Sequence, residues 1–321
     1  MKKILVTGIG GVVGQGILRN IRSMARDIEI VGVNISKVSA GNYLCDAVYE
    51  VPYSYDPTYI GVMKELVTRE NIGLIIPSTD YESYYLGASR ERFACPVACS
   101  PAWITKFCLD KYLNFQEFSQ YDIPFATSLL PSNYKGEFDQ YVVKPREGRG
   151  SRNIYVNPPN PEKFDDSYVV QKYLEGPEIT TTVYVDKQGG VHGMITFVRE
   201  LEQGNTAKAE VVFEYDEPLG KLVQKILAHF PFSGSFNIQS RVTDAGIVPF
   251  EINCRISGTN SVRSQFGFQD VAYTVQEYFF NEPPSPPAVT KGTALRVILD
   301  IIYPGQSLED IQNNKNTFYI H

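Results

Sequence analysis

Residues 3–7 form a short apolar, β-branched run that breaks at once into glycines, and residues 14–26 then follow with a helical pattern. A second apolar run at 28–34 (IEIVGVN) completes a strand–helix–strand unit at the very start of the chain. Further strands are predicted at 48–51 and 72–77 (IGLIIP), with a helix over 57–70 between them. Strands alternating with helices imply a mostly parallel sheet covered on both faces, ending near Pro101.

The pattern then changes. Residues 102–121 read as one amphipathic helix running through Lys106, Phe107, Asp110, Lys111 and Phe115. Beyond Ile123-Pro124 come short strands joined by Gly and Pro turns, at 140–144, 153–156, 168–173 and 179–186. More follow at 193–199, 210–215, 236–242 and 247–253, with a helix over 218–229. Residues 281–287 (NEPPSPP) predict a surface loop and 293–302 a last strand. The expected organisation is an α/β domain over 1–101 and an α+β domain in two lobes, 102–172 and 173–321.

Composition adds exclusions. With 321 residues, 43% hydrophobic and 21% charged, the chain has the make-up of a soluble protein of two or three domains. The net charge of −6 and the lack of a basic run exclude a nucleic-acid surface. Five scattered cysteines without a CxxC pair predict reduced thiols, not a disulfide or zinc framework. The apolar run after Lys2-Lys3 is too short for a signal peptide, and no stretch is long enough to span a bilayer. A cytoplasmic protein with no membrane partner is expected.

The glycine-rich segment 7–14 (TGIGGVVG) offers the first candidate chemistry, since glycines after a first strand let a helix N-terminus approach a phosphate. Its spacing fits TGxxGxxG, the pattern of NAD-dependent enzymes that modify sugar nucleotides. Two features oppose that reading. Asn34 stands where an acid should hold the ribose, and the only Tyr-xxx-Lys, Tyr168…Lys172, lies in a run that reads as a strand.

A stronger constellation lies at 233–258 (SGSFNIQSRVTDAGIVPFEINCRISG), two strands joined by a Thr-Asp-Ala-Gly turn. Residues two apart on a strand face the same side, so Glu251, Asn253 and Arg255 should form one row, with Gln239 facing them. Hard oxygen donors beside a guanidinium are what a Mg²⁺-bridged triphosphate requires.

In this segment, F-E-I-N-C-R resembles the E-x-N-x-R signature of ATP-grasp enzymes of the branch like the large subunit of carbamoyl-phosphate synthetase, and Asn237-Ile238-Gln239 resembles its preceding N-x-Q strand. Further matches occur in order along nearly the whole chain. The resemblance implies a Rossmann-like preliminary domain followed by a two-lobed ATP-grasp domain, with ATP and Mg²⁺ (which Mn²⁺ can replace) as cofactors. It implies that Gln239, Glu251 and Asn253 hold the metal. Lys111 and Lys144 would hold the phosphates, and the loop 146–152, with Arg149, Gly150 and Ser151, would close over them. Gln171, Lys172, Tyr173 and Leu174 would face the adenine, with Gln171 replacing the acid common there, and Glu178 the ribose.

Catalysis would then rest on Arg255, Asn253 and Arg199, the last a candidate for the substrate carboxylate or the γ-phosphate. Arg263 is a similar, weaker candidate, and Tyr81, Tyr84 and Tyr85 follow a strand end where open α/β sheets bind ligands. The implied reaction is attack of a carboxylate on the γ-phosphate to give an acyl phosphate, which an amine or similar nucleophile displaces. Its partners would be small molecules, and a homodimer is compatible with it. The two alternatives are the NAD-dependent enzyme and an ATP-binding protein without turnover.

Overall fold

The computed structural model describes residues 2–148 and 153–321. Its first part follows the alternation: β1 (Lys3–Val6), α1 (Val12–Ser23), β2 (Ile30–Asn34), β3 (Ala47–Glu50), α2 (Tyr59–Arg69) and β4 (Ile72–Ile76). The four strands pair in parallel in the order β3-β2-β1-β4. Alternation explains why β1 is apolar from Ile4 onward. Ile4 and Val6 pack with Ile17, Leu18 and Ile21 of α1, whereas Leu5 packs with Tyr59, Met63 and Leu66 of α2.

α3 (Asp80–Ala88) follows β4 without an apolar stripe to announce it, since it buries only Ser83, Leu86 and Gly87. Its start is nevertheless written as a capping box, Thr79-x-x-Glu82, in which Thr79 Oγ1 accepts from the Glu82 amide at 3.2 Å.

The single helix expected over 102–121 is two helices, α4 (Ala102–Leu109) and α5 (Lys111–Gln120). Asp110 breaks them with an extended backbone (φ −106°, ψ 108°), and its carboxylate caps α5 by accepting from the amides of Tyr112 and Leu113. An amphipathic pattern does not register one extended residue between two helical runs.

β5 (Ser128–Leu129), β6 (Tyr141–Pro145), β7 (Tyr155–Val156) and β8 (Tyr168–Lys172) form an antiparallel sheet in the order β5-β8-β6-β7. Next come β9 (Glu178–Val185), β10 (Val191–Glu202), β11 (Asn205–Val212), α6 (Asp216–Leu227), β12 (Gly234–Thr243) and β13 (Gly246–Asn253). β11 begins earlier than the pattern suggests because Gln203 and Gly204, both left-handed (φ +48° and +76°), make a tight hairpin with β10. α7 (Asn260–Arg263) and α8 (Asp270–Val275) precede β14 (Thr293–Leu295). The large antiparallel sheet runs β13-β12-β9-β10-β11-β14. One of its faces receives Leu219, Val223 and Ile226 of α6.

The last strand expected over 293–302 is cut short. Val297, Ile298 and Leu299 are 60–94% exposed, so this apolar run meets no surface that would hold it as a strand. The chain resumes as β15 (Ile301–Ile302), paired with β16 (Tyr319–Ile320).

The parallel-sheet domain is not loosely tethered. Ile256, Val271 and Val275 enter the same core as α1. Asn20 Nδ2 donates to the backbone oxygen and Oδ1 of Asn260, both at 3.2 Å. This seam sets α1 of the parallel-sheet domain against α7 and α8.

Candidate active site

The hairpin β12–β13 sets the register Asn237 opposite Asn253 and Gln239 opposite Glu251. Glu251 and Asn253 share a face as expected: Asn253 Nδ2 donates to Glu251 Oε1 at 3.1 Å, and Gln239 Nε2 donates to Asn253 Oδ1 at 3.3 Å. Asn237 points to the same side but is absorbed by the sheet, accepting from Thr180, Thr182 and Ser257.

The polar chain continues across the sheet. Arg199 Nη2 donates to Gln239 Oε1 at 2.5 Å, and its Nε and Nη2 donate to Glu178 Oε1 at 3.0 and 2.9 Å. Arg199 is therefore held inside the site, with 11% of its side chain exposed, not displayed on a surface turn.

Arg255 leaves the expected row because β13 ends at Asn253. It turns to the parallel-sheet domain, where its Nε and Nη2 donate to Asp80 Oδ2 at 3.2 and 3.0 Å.

Both lysines sit against this surface. The extended Asp110 places Lys111 at the first position of α5, with Nζ 3.4 Å from the carbonyl oxygens of Arg146 and Gly148. Lys144 comes from β6 and donates to the Phe250 carbonyl at 3.3 Å, with the Phe250 ring beneath it. Lys144 is 5% exposed, and burial pushes its ammonium down to about 7. The nearby Glu251 carboxylate opposes that shift and the Lys111 charge reinforces it. For Glu251, burial pulls the pKa upward, but the Lys111 and Lys144 charges and the Asn253 hydrogen bond outweigh it and hold the carboxyl below its ordinary range.

These groups line one cavity of about 470 Å³. Among the described residues its lining holds five cations (Lys111, Lys144, Arg199, Arg255 and Arg296) and two carboxylates (Asp80 and Glu251). Gly8, Gly11, Ser78, Thr79 and Asp80 of the parallel-sheet domain complete the wall. The hairpin pattern gave no hint of Asp80 or Arg296. The position of Asp80 just beyond β4, where open sheets bind ligands, was the available signal.

The predicted hinge residues do not line this cavity. Gln171 is buried on β8 and donates from Nε2 to Ser128 Oγ at 3.0 Å. The amides of Lys172 and Tyr173 donate to the carbonyls of Thr127 and Gln140. Leu174 follows in the loop before β9, and Glu178 is engaged by Arg199 and, at 3.5 Å, by Arg241. Arg149, Gly150 and Ser151 lie outside the described residues.

Other candidates resolve into structure. Arg263 is fully buried and forks onto Asp270 at 2.9 and 2.6 Å while donating to Ser257 and Thr259, so it is a core ion pair. Tyr81 borders a second cavity of about 360 Å³ beside Tyr53, Tyr55 and Glu147. Tyr84 and Tyr85 pack edge to face on α3.

The glycine-rich start also has a packing explanation. Gly8 is left-handed (φ +56°) against Ser78, and a Cβ on Gly16 would collide with the Asn260 side chain. Tyr168 and Lys172 lie on a strand, so they lack the one-turn helical juxtaposition that the NAD-dependent reading requires.

The donor set fits Mg²⁺ in a particular way. Among the described residues no group of three His, Cys, Asp or Glu side chains forms a metal cluster. One carboxylate and neighbouring amide oxygens match a hard ion that keeps open positions for substrate phosphates instead of an all-protein cage.

Two family models match the chain. Residues 164–300 match "ATP-grasp in the biosynthetic pathway with Ter operon", and residues 4–98 match the PylC-like N-terminal domain. No curated protein matches it. Among solved structures, N5-carboxyaminoimidazole synthetase from Staphylococcus aureus with ADP superposes with a TM-score of 0.76 at 12% identity, covering 93% of this chain and 83% of that one. L-amino acid ligase from Bacillus licheniformis gives 0.70 at 13% identity, covering 86% and 74%. The biotin carboxylase domain of Hydrogenobacter thermophilus 2-oxoglutarate carboxylase, with MgADP and bicarbonate, gives 0.68 at 16%, covering 88% and 70%. At these identities the superpositions speak for the fold alone, which is that of ATP-grasp enzymes, and the match to an ATP-grasp family model is confined to residues 164–300.

Proposed function

We propose that the chain is an ATP-dependent ligase that activates a small carboxylic acid and joins it to an amine or similar nucleophile in the cytoplasm. The observation that carries this reading is Glu251, kept ionised between two buried lysines and hydrogen-bonded to Asn253 in a cavity rich in cations. A carboxylate among cations is poised for a metal, and the surplus positive charge is poised for phosphates. The similar solved structures include ligases and complexes with ADP, which supports the same reading.

Lys111 and Lys144 are assigned to phosphate oxygens, Glu251 and Asn253 to Mg²⁺. Gln239, whose carbonyl oxygen already accepts from Arg199, orients Asn253 and stands behind the metal. When bound, Mg²⁺ supplies charge neutralisation at the phosphate oxygens. The protein's own part is positioning and electrostatic preorganisation. Arg255 is set where charge develops on the transferred phosphoryl group, and Arg199 closes the same wall. The loop 146–152 is assigned to covering the phosphates, and the hinge from Gln171 to Leu174, with Glu178, to the nucleoside.

The test is phosphate release from ATP and Mg²⁺ over a panel of carboxylates and amines, run beside Glu251→Gln. Release that needs both an acid and a nucleophile, and that falls with Glu251→Gln, supports a ligase. ATP binding with no release for any pair would leave the alternative of a non-catalytic ATP-binding protein.

A further inference from the structure

One end of the main cavity carries donors that the proposed chemistry leaves unused. α1 begins at Val12, with Gly11 at its cap position, no side-chain cap and no acid in its first turn. Gly11, Val12 and Val13 line the cavity, and the amides of Val12 and Val13 meet no acceptor among the described residues. Free amides at the start of a helix carry partial positive charge and favour an anion. Helix starts are common, so the neighbouring side chains decide whether this one is a site.

Ser78 is the first of them. It is 3% exposed and lines the cavity beside Gly8 and Gly11. Its amide donates to Thr7 Oγ1 at 3.0 Å, but its own hydroxyl has no hydrogen-bond partner among the described residues. That hydroxyl is not one of the polar atoms sealed off from solvent, so it opens on the cavity. A Cβ on Gly8 would collide with it, and glycine keeps the space before it clear. The Glu82 carboxylate behind Gly8 accepts from the hydroxyls of Thr7 and Thr79 and is not part of the cavity wall. Arg296 is the second neighbour. Of the three arginines on the wall, Arg199 holds Glu178 and Arg255 holds Asp80, whereas Arg296 forms no ion pair among the described residues. Its side chain donates to the Gly258 carbonyl at 2.9 Å, while burial and then the Arg19 charge work against its ionised form. Asn260, two residues beyond Gly258, donates to the Val13 carbonyl at 3.2 Å, which carries Arg296 to the start of α1. A half-buried guanidinium without an anion is costly, and an incoming anion relieves it.

From this we infer that the start of α1, with Ser78 and Arg296, is a second anion subsite. The acid that the ligase activates is accordingly two-headed, carrying a carboxylate or phosphate besides the carboxyl that is phosphorylated. The inference rests on the proposed ligase function and adds to it the class of acid. With the two lysines and Mg²⁺ committed to the triphosphate, Arg296 and the α1 amides remain for the second head. The spacing suits one small molecule. Arg255, assigned to the transferred phosphoryl group, and Gly258, which holds Arg296, are three residues apart, so their Cα atoms lie within about 10 Å. The reacting carboxyl then sits at Arg255, and the second head orients it from α1 without entering the chemistry.

The experiment uses the full chain saturated with Mg²⁺ and the β,γ-imido analogue of ATP, which occupies the lysines without turnover. Binding is read by calorimetry at fixed free Mg²⁺. The probes are matched pairs: butyrate and succinate, valerate and glutarate, asparagine and aspartate, glutamine and glutamate, propionate and 3-phosphonopropionate. The expected result is that at least one two-headed acid binds about tenfold or more tighter than its one-headed partner, the worth of a charge-assisted hydrogen bond. A preferred dicarboxylate assigns a carboxylate to the second head, and a preferred phosphonate assigns a phosphate. Arg296→Gln should erase the preference, and Arg296→Lys should restore part of it. Val12→Pro should reduce it about threefold or more, because proline is accepted at the first helical position and removes the amide there. Gly11 before it is already extended (φ −84°, ψ 161°), as a residue preceding proline must be. These variants should bind the ATP analogue within about twofold of the wild type, which also shows that they fold. The inference is overturned if the wild type prefers no two-headed acid, or if the preference survives in both Arg296→Gln and Val12→Pro. Failure of the ATP analogue to bind the wild type would instead strike the ligase reading itself, and this inference with it.

Discussion

Nucleotide binding should draw a proton into the site, and the amount follows from Lys144. Burial, reinforced by the Lys111 charge, holds this ammonium down to about 7 in the free protein, with partial relief from Glu251 and Glu178. At pH 8 such a group is about one-tenth protonated. Phosphate oxygens beside it favour the charged form, and a return towards the ordinary lysine value makes it essentially fully protonated. The uptake is then about 0.9 of a proton per nucleotide at pH 8, shrinking to about 0.1 at pH 6. Calorimetric titration of ATP with Mg²⁺ in two buffers of different ionisation enthalpy measures this directly. Lys144→Met preserves length and bulk, and should abolish the uptake while lowering affinity. Heats at pH 8 that do not depend on the buffer in the wild type, or an uptake that survives in Lys144→Met, would refute the reasoning.

Three further outcomes follow from the same geometry. Because the folded pKa of Lys144 lies below its unfolded value, the unfolded chain binds more protons between about pH 7 and 10.5, so this lysine's contribution to stability rises with pH across that window. Urea denaturation of Lys144→Met should show a flatter pH dependence there, with a difference of the order of 5 kcal/mol at most; an unchanged slope would contradict it. Asp270→Asn leaves the fully buried Arg263 without its anionic partner and should cost about 3–5 kcal/mol in chemical denaturation, whereas a loss below about 1 kcal/mol would deny the pair its structural role. Gly16→Ala should destabilise by about 1–3 kcal/mol through collision with Asn260, while Gly61→Ala, in open space on α2, should be stabilising by about 0.5–1 kcal/mol. Equal thermal shifts for the two glycine variants would count against the packed seam between domains.

The residues legible in the sequence were those whose roles are local. Alternation alone put Glu251 and Asn253 on one face, and the turn at Gly246 placed Gln239 opposite Glu251. The apolar runs of β1, β2 and β4 announced a sheet buried on both sides. What escaped depended on partners distant in the chain. Arg255 fits the strand's alternation, yet the strand stops two residues before it and Asp80, 175 positions away, takes its guanidinium. Arg199 was a candidate from its place at a strand end, but nothing local shows that Glu178 and Gln239 converge on it. Arg263 was ambiguous for the same reason, its anion lying on α8 beyond a turn. The break at Asp110 was missed although Asp is a good cap, because the apolar rhythm continues through it.

The central claim is that Glu251, Asn253 and the two lysines form a site for ATP with Mg²⁺, and one measurement addresses it most directly. Thermal denaturation of the wild type and of Glu251→Gln should be followed with ATP, with Mg²⁺, with both, and with both plus a chelator. The account predicts stabilisation by ATP and Mg²⁺ together, reversed by the chelator and weakened at least tenfold in apparent affinity by Glu251→Gln, about the worth of one charged ligand contact. A wild type that ATP does not stabilise, or stabilises equally with and without Mg²⁺, would contradict it.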